Sequence, residues 1–178
     1  MRPGRRLRSA PLTRGPYIRW AEFSLAAPEL AGFAEDRIRE TGIVMLGTVR
    51  ADGWPRISPC EAYVVDGDLM LGMMWQSRKA LDLLRDGRIT IATAQTDREP
   101  VHGDLKLYGT TVDVPEAARR QAYSDTLQAA ISWRPPEPYH LFAADVERAG
   151  FISFGKAPRL LRWSPETGIE VLRHPDAK

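Results

Sequence analysis

A hydroxyl group and two cations are consecutive at Ser77, Arg78 and Lys79, where a short helix is predicted to begin. Ser is a favoured N-cap residue, and the apolar residues between positions 80 and 84 give this helix a buried face that ends at Asp86-Gly87. A helix N-terminus carries about half a positive charge and prefers acids, so local stability does not explain two cations there. Together with free backbone N–H groups they predict a phosphate site. The alternative is two solvated charges on a surface helix.

A third cation is predicted to reach the same point. Alternation with period 2 predicts a strand from Arg56 to Val65, with Arg56, Ser58 and Cys60 on one face. The turn at residues 66–68 returns the chain as a second strand over residues 69–74, so both ends of this hairpin meet near Ser77. Trp75, between the hairpin and the helix, could cover a bound ring or could be a core or interface aromatic residue.

The order of these elements resembles the pyridoxamine 5'-phosphate oxidase-like, FMN-binding split β-barrel family, over residues 42–114 and more loosely to the end of the chain. The resemblance implies that Arg56, with Ser58 on the same strand face, and Ser77, Arg78 and Lys79 hold the phosphate of FMN. It also implies that Gly72, Met73 and Met74 pass along the flavin ring, and that the protein is a homodimer whose cofactor pocket lies at the subunit interface.

Three departures argue against vitamin B6 phosphate as the substrate. Glu61 stands where the pyridoxamine phosphate oxidases have a flavin-contacting Lys, and Asp104 stands where they have a Gln. Their C-terminal Arg-Trp-Gly-Gly-type segment is missing. We therefore expect an FMN-dependent oxidoreductase acting on another small organic molecule. Related branches bind the deazaflavin F-420 or haem, and some bind a flavin without turnover, so these remain alternatives.

The elements around the hairpin predict a mainly β protein. Helices are predicted at residues 28–40, 77–86 and 116–131, and further strands at 43–50, 88–94, 105–114, 141–154, 159–163 and 168–173. The 43–50 strand is apolar on both faces and is expected to be buried on both sides. Six or more antiparallel strands with about three helices indicate a β-barrel with helical additions rather than a parallel α/β fold. A single domain over residues 21–178 suits the length.

Composition excludes several classes of protein. No apolar run approaches the length of a membrane span, and the 43 % hydrophobic and 27 % charged residues are typical of a globular protein. Cys60 is the only cysteine, so no intrachain disulfide can form. Because no signal peptide is recognisable either, a cytoplasmic location is expected.

The net charge of +2 conceals an uneven distribution, because residues 1–19 contain six arginines and no acid. The rest of the chain holds 19 bases and 23 acids. Residues 1–20 are predicted to form an extended or mobile arm, since Pro and Gly interrupt any helix. Nucleic-acid binding by this arm is the weaker alternative, because few aromatic residues accompany the arginines.

Other catalytic motifs are missing. The histidines His102, His140 and His174 have no Cys or carboxylate at metal-ligand spacing, so no metal site is predicted and each is expected in a loop or on the surface. Motifs of P-loops, Rossmann folds and hydrolase elbows are also absent. Because a flavin performs hydride or electron transfer itself, no catalytic side chain is nominated.

Overall fold

The computed structural model describes residues 17–94 and 103–175, which form a sheet of eight strands with four helices. The strands are β1 (Ile43–Val49), β2 (Pro55–Val65), β3 (Asp68–Met74), β4 (Arg88–Thr93), β5 (Asp104–Asp113), β6 (Tyr139–Ser153), β7 (Arg159–Ser164) and β8 (Gly168–Leu172). The helices are α1 (Trp20–Ala26), α2 (Pro28–Thr41), α3 (Arg78–Arg85) and α4 (Ala117–Ile131). The predicted mainly β fold is confirmed. The predictions had no counterpart of α1.

Six antiparallel strands close into a barrel. Their order is β3-β2-β1-β4-β5-β6, and β3 pairs with β6 to complete the ring, while β7 and β8 extend the sheet from the second half of β6. The apolar side chains inside the ring form one core with the buried face of α2. A second, smaller core lies between α4 and the outer face of β3 and β6. The arrangement is a split β-barrel with added helices.

The ladder between β2 and β3 is short, and this shapes the site. It joins only Glu61–Val65 to Asp68–Gly72, whereas residues 55–60 of β2 pair with β1 and the end of β3 pairs with β6. Met73 and Met74 therefore have a ladder partner on the β6 side only. The two strands diverge beyond Gly72, and we call this opening the split.

Strand β1 differs from its predicted burial on both sides. Val44, Leu46 and Thr48 are buried, whereas Ile43 is 38 % exposed on the other face. The outer face carries the row Ile57, Gly47, Thr90 and Tyr108, which lie opposite one another on β2, β1, β4 and β5. None of the described helices covers this row with a buried face, because α2 packs into the interior core. An apolar composition on both faces therefore did not mean a strand buried on both faces.

The predicted arm, residues 1–20, lies outside the described residues as far as position 16. Residues 17–20 are held on the barrel. The Ile18 N–H donates to the Asp145 carboxylate at 2.9 Å, and Trp20 is only 1 % exposed because α1 buries it beside Phe23. The folded region thus begins before the predicted boundary at residue 21. Because arginines continue up to Arg19, the sequence suggested one continuous arm, and the amphipathic helix α1 was not predicted.

No helix among the described residues has both the length and the apolarity needed to cross a bilayer.

Candidate functional site

Helix α3 begins directly beside the split. Ser77 is its N-cap residue with an extended backbone, and no acid occupies the first turn. The Ser77 side chain makes no capping hydrogen bond, and its Oγ is buried without a partner among the described residues. Since a helix leaves its first N–H groups without intrahelical acceptors, this end offers several donors that nothing in the described chain satisfies.

The two cations that follow Ser77 differ in their contacts. Arg78 is exposed, and its guanidinium has neither a hydrogen bond nor an ion pair within the described residues. The Lys79 ammonium crosses the split and donates to the Pro59 carbonyl at 2.5 Å, so it ties α3 to β2. Arg78 is therefore free to bind an anion, whereas Lys79 would have to break its hydrogen bond to the Pro59 carbonyl before it could bind the anion.

The third predicted cation, Arg56, is fixed by Asp82 of α3. Its Nε donates to the Asp82 carboxylate at 2.6 Å, and its terminal nitrogens have no partner in the described part of the chain. Thr48 also donates to Asp82 at 3.0 Å, and Arg85 lies 3.4 Å away. Asp82 therefore holds Arg56 by its Nε alone, so the terminal nitrogens of the guanidinium are open to another partner.

Asp82 is charged in this arrangement. Burial of its carboxyl group favours the neutral acid, but the hydrogen bonds from Arg56 and Thr48 and the charge of Arg56 outweigh burial, so its pKa lies below the ordinary value. The side chain is only 5 % exposed, and a buried carboxylate needs such partners to remain ionised. Asp82 is thus a fixed anion that orients Arg56 towards the split.

The three residues expected along a flavin ring, Gly72, Met73 and Met74, lie in three different environments. Gly72 faces Tyr123 of α4, since a Cβ at Gly72 would lie 2.2 Å from the Tyr123 hydroxyl. Met73 is 4 % exposed and belongs to the interior core, whereas Met74 is 78 % exposed. Only the side chain of Met74 is therefore open to a ligand, while Met73 and Met74 offer backbone on the side of the split. Ser58, half-buried on β2, lies on the opposite side.

Cys60 lies at the narrow end of the split. Its thiol is within 3.5 Å of the Gly72 carbonyl oxygen, and burial raises its pKa to about 11. A thiol with so high a pKa is neutral near pH 7 and is a poor nucleophile. Cys60 therefore acts as a small core residue.

Trp75 and His140 form a stack that the sequence did not predict. The Trp75 ring lies 4.5 Å from the His140 ring at an interplanar angle of 10°, and Phe142 continues the stack at 6.2 Å and 16°. His140 is 7 % exposed and its Nε2 has no partner among the described residues. Burial lowers the pKa of His140, with opposing effects of Asp113 and Arg120, so its ring is neutral near pH 7.

The expectation that the histidines lie in loops or on the surface is wrong for His140, which is buried within β6, whereas His174 is buried but lies in an irregular segment after β8. His102 lies outside the described residues. Sequence spacing could not find the stack, because Trp75 and His140 meet only through the pairing of β3 with β6. Residues 17–94 and 103–175 contain no group of His, Cys, Asp or Glu side chains that could hold a metal ion.

Comparison with known proteins places the chain in a family. A model of the pyridoxamine 5'-phosphate oxidase family matches residues 30–153, which is most of the chain. The protein therefore belongs to the pyridoxamine 5'-phosphate oxidase-like family, whose fold is the split β-barrel. A search of curated proteins finds no match.

Solved structures share this fold at low sequence identity. A haem-binding protein from Mycobacterium smegmatis has a TM-score of 0.58 and 20 % identity over 75 % of this chain, which spans 58 % of the length of that protein. A Clostridium acetobutylicum protein of the pyridoxinephosphate oxidase family, related to general stress protein 26, has the same score, 18 % identity and coverages of 74 % and 92 %. PhzG from Burkholderia lata, solved with tetrahydrophenazine-1-carboxylic acid, scores 0.58 at 14 % identity, with coverages of 86 % and 91 %.

Proposed function

We propose that this protein binds FMN and is an oxidoreductase acting on a small organic substrate other than a vitamin B6 phosphate. One observation carries the proposal: α3 begins with a buried Ser77 hydroxyl and an Arg78 guanidinium that have no partner among the described residues, and its first turn contains no acid. Such donors at a helix N-terminus suit a phosphate group. Membership of a flavin-binding family makes FMN the first candidate.

Each residue of the site has a separate role in the proposed complex. The Ser77 hydroxyl donates to a phosphate oxygen, and Arg78 supplies a planar pair of donors. Asp82 keeps the Arg56 guanidinium directed at the same anion. Lys79 would leave the Pro59 carbonyl for the phosphate, which gains a charge-assisted bond. Ser58 and the backbone of Met73 and Met74 would flank the ring.

A bound flavin would supply hydride or electron transfer, and the chain would bind it, orient it and limit its contact with water. Beyond Gly72, strand β3 has no ladder partner on the side of β2 in the described chain, and the Met74 carbonyl already accepts a hydrogen bond from Ser77 N–H. A planar ring with polar edges could satisfy a backbone group of β3 that remains unpaired on that side. No described side chain is assigned a catalytic role.

Haem is the second candidate, and the unpartnered Nε2 of His140 is the observation that favours it. A neutral imidazole is a common iron ligand, and the Mycobacterium smegmatis structure above is that of a haem-binding protein. However, Trp75 covers the His140 ring and would have to move. The anion site also has no role in coordinating iron, so FMN accounts for more of the structure.

Absorption spectroscopy of the purified protein tests the proposal, followed by reconstitution with FMN, F-420 or haem. We expect flavin bands near stoichiometric occupancy, or tight uptake of added FMN. A colourless protein that takes up only F-420 would make the deazaflavin the cofactor. A Soret band that disappears in His140→Ala, without uptake of FMN, would instead support haem.

We propose further that a second copy of the chain packs on the outer row of β2, β1, β4 and β5. Ile57 is 72 % exposed at one end of this row, and Tyr108 is 38 % exposed at the other. Ile57 lies between Arg56 and Ser58, so a partner on this face would border the phosphate site. Light scattering at micromolar concentration should give a dimer, and Ile57→Asp should give a monomer. A wild-type monomer that binds FMN tightly would contradict this arrangement.

A further inference from the structure

One face of a large aromatic side chain is left open beside the anion site. Trp75 is 52 % exposed although one of its faces is covered by His140 at 4.5 Å, so the exposed area lies mainly on the opposite face and the ring edge. Three rings, Trp75, His140 and Phe142, lie nearly parallel. A further planar ring could extend this stack by lying on the open face.

The Trp75 ring is held in place from two sides. On the chain side, Ser77 N–H donates to the Met74 carbonyl at 3.1 Å, which closes a tight turn, and Gln76 takes a positive φ of 56° in that turn. On the barrel side, β3 pairs Met73 with His140, which fixes the imidazole under the indole. A residue with a positive φ that is not glycine is uncommon, and here it lies in the turn that contains Trp75, whose ring stacks on His140 of β6.

The same turn fixes the distance between the open indole face and the anion site. Trp75 precedes the N-cap residue by only two positions, so the two sites are separated by about 10 Å or less along the backbone. One molecule can therefore place a phosphate at Ser77 and Arg78 and a planar ring near Trp75. Two independent ligands are not needed to fill both sites.

We propose that Trp75 is the residue on which the ring system of the bound phosphate-bearing cofactor stacks, and that His140 is a positioning residue that holds Trp75 flat for this contact. The inference rests on the proposed function, which assigned the phosphate contacts and placed Ser58 and the backbone of Met73 and Met74 beside the ring, but named no residue on which the ring stacks. It also gives a reason for the burial of an unpartnered imidazole, since a ring at this position is needed as a support.

Dissociation constants for FMN and for riboflavin, which has the ring but no phosphate, separate the two halves of the site. Trp75→Ala should weaken both ligands by a similar factor, about 5- to 150-fold, as for loss of one aromatic stacking contact. Trp75→Phe should keep most of the affinity. Arg78→Ala should weaken FMN and leave riboflavin unchanged. Trp133→Ala is the matched control, because Trp133 is also half-exposed, at 42 %, and has no ring contact among the described residues.

His140 is tested by rescue with another ring. His140→Ala should weaken riboflavin binding, and His140→Phe should restore it, because a phenyl ring supports Trp75 equally well. Circular dichroism and urea unfolding of both variants check that they remain folded.

Three results would contradict the inference in different ways. If the wild type binds neither FMN nor riboflavin, the proposed function fails and this inference fails with it. If FMN binds and Trp75→Ala leaves both affinities as they are in the Trp133→Ala control, the phosphate site stands and the role of Trp75 is refuted. If Trp75→Ala weakens binding but His140→Phe does not rescue His140→Ala, the positioning role of His140 is refuted.

Discussion

The polar and charged side chains at the two ends of strand β3 differ in whether they have partners. At the first end, the Asp68 carboxylate is 3 % exposed and accepts hydrogen bonds from Arg19 at 2.8 and 3.0 Å, Arg119 at 2.8 Å and Tyr17 at 3.1 Å. Burial favours the neutral acid, yet the bonds from Arg19 and Tyr17 outweigh it and lower the pKa of Asp68. At the other end, Ser77 and Arg78 meet no anion among the described residues.

The difference separates a structural ion cluster from the proposed binding site. Around Asp68 every described cation has a partner, and the cluster joins the N-terminal segment, the β2–β3 hairpin and α4. At the start of α3 the cations oppose the helix dipole, and within the described residues only Lys79 has a partner, which is a neutral carbonyl. Charges that the fold does not neutralise are candidates for a ligand, whereas charges that it does neutralise stabilise the fold.

The largest effect on stability is expected from Asp68→Ala. The substitution leaves Arg19 and Arg119 facing one another without an anion, and breaking a buried pair costs about 3–5 kcal/mol. Both arginine side chains are partly exposed, at 44 % and 31 %, so they can recover water and we expect about 2–3 kcal/mol. Urea unfolding of the apo protein measures this loss of unfolding free energy.

The control for Asp68→Ala is Asp52→Ala, because Asp52 forms an exposed pair with Arg50. Loss of an exposed pair should cost less than about 1 kcal/mol. Equal effects of the two substitutions would show that the Asp68 cluster is no more stabilising than a surface ion pair. FMN affinity should be unchanged in both variants.

Arg78→Ala, at the other end of β3, should weaken FMN binding and stabilise the apo protein. Loss of one charge-assisted contact weakens FMN binding by roughly 1.5–3 kcal/mol, or about 10- to 150-fold. The apo protein should gain roughly 0.3–1 kcal/mol, because a cation leaves a helix N-terminus. Lys79→Ala should weaken binding too, and added salt should weaken the wild type. Isothermal titration and apo melting temperatures measure both.

Arg39→Ala supplies the comparison for Arg78→Ala, since Arg39 is an exposed helix cation paired with Asp36. Arg39→Ala should change neither the FMN affinity nor the melting temperature of the apo protein appreciably. Unchanged FMN affinity in both Arg78→Ala and Lys79→Ala would refute the phosphate site. A loss of apo stability in Arg78→Ala would show that Arg78 supports the fold, as the cations around Asp68 do.

The smallest effect is expected from deleting residues 1–14. Tyr17 and Arg19, which contact Asp68, both lie after the deleted residues, so the deletion leaves the described Asp68 cluster complete. FMN affinity and the free energy of unfolding should both agree with those of the intact chain within error. A large loss of affinity would mean that the arginines of this segment reach the cofactor.

Strands and helices were predictable where the pattern was local. Pro28 at the first turn of α2, the turn after Val65 and the Ser77 start of α3 were all found from neighbouring residues. Helix α1 was missed because the arginines before it suggested a continuous arm. Its Trp20 packs against Phe23, and Phe23 packs against Trp163 near the other end of the chain.

The candidate site was predictable in its residues and not in its contacts. The types and spacing of Arg56, Ser77 and Arg78 indicated an anion site. The pairing of Arg56 with Asp82, the contact of Gly72 with Tyr123 and the Trp75 stack depend on residues brought together by the barrel. Gly72 illustrates the limit, because a glycine required by a distant tyrosine looks the same in sequence as one required by a ligand.

The closing ladder of the barrel also bears on the order of folding. Hairpins such as β2–β3 form between neighbouring segments, whereas β3 must find β6 across α3, β4, β5 and α4. A contact between such distant segments loses more chain entropy and tends to form late. Since the β3–β6 ladder brings His140 to Trp75, the candidate site beside α3 is complete only when the barrel has closed. A ligand bound there should therefore slow the opening of the barrel and leave the rate of its closure nearly unchanged.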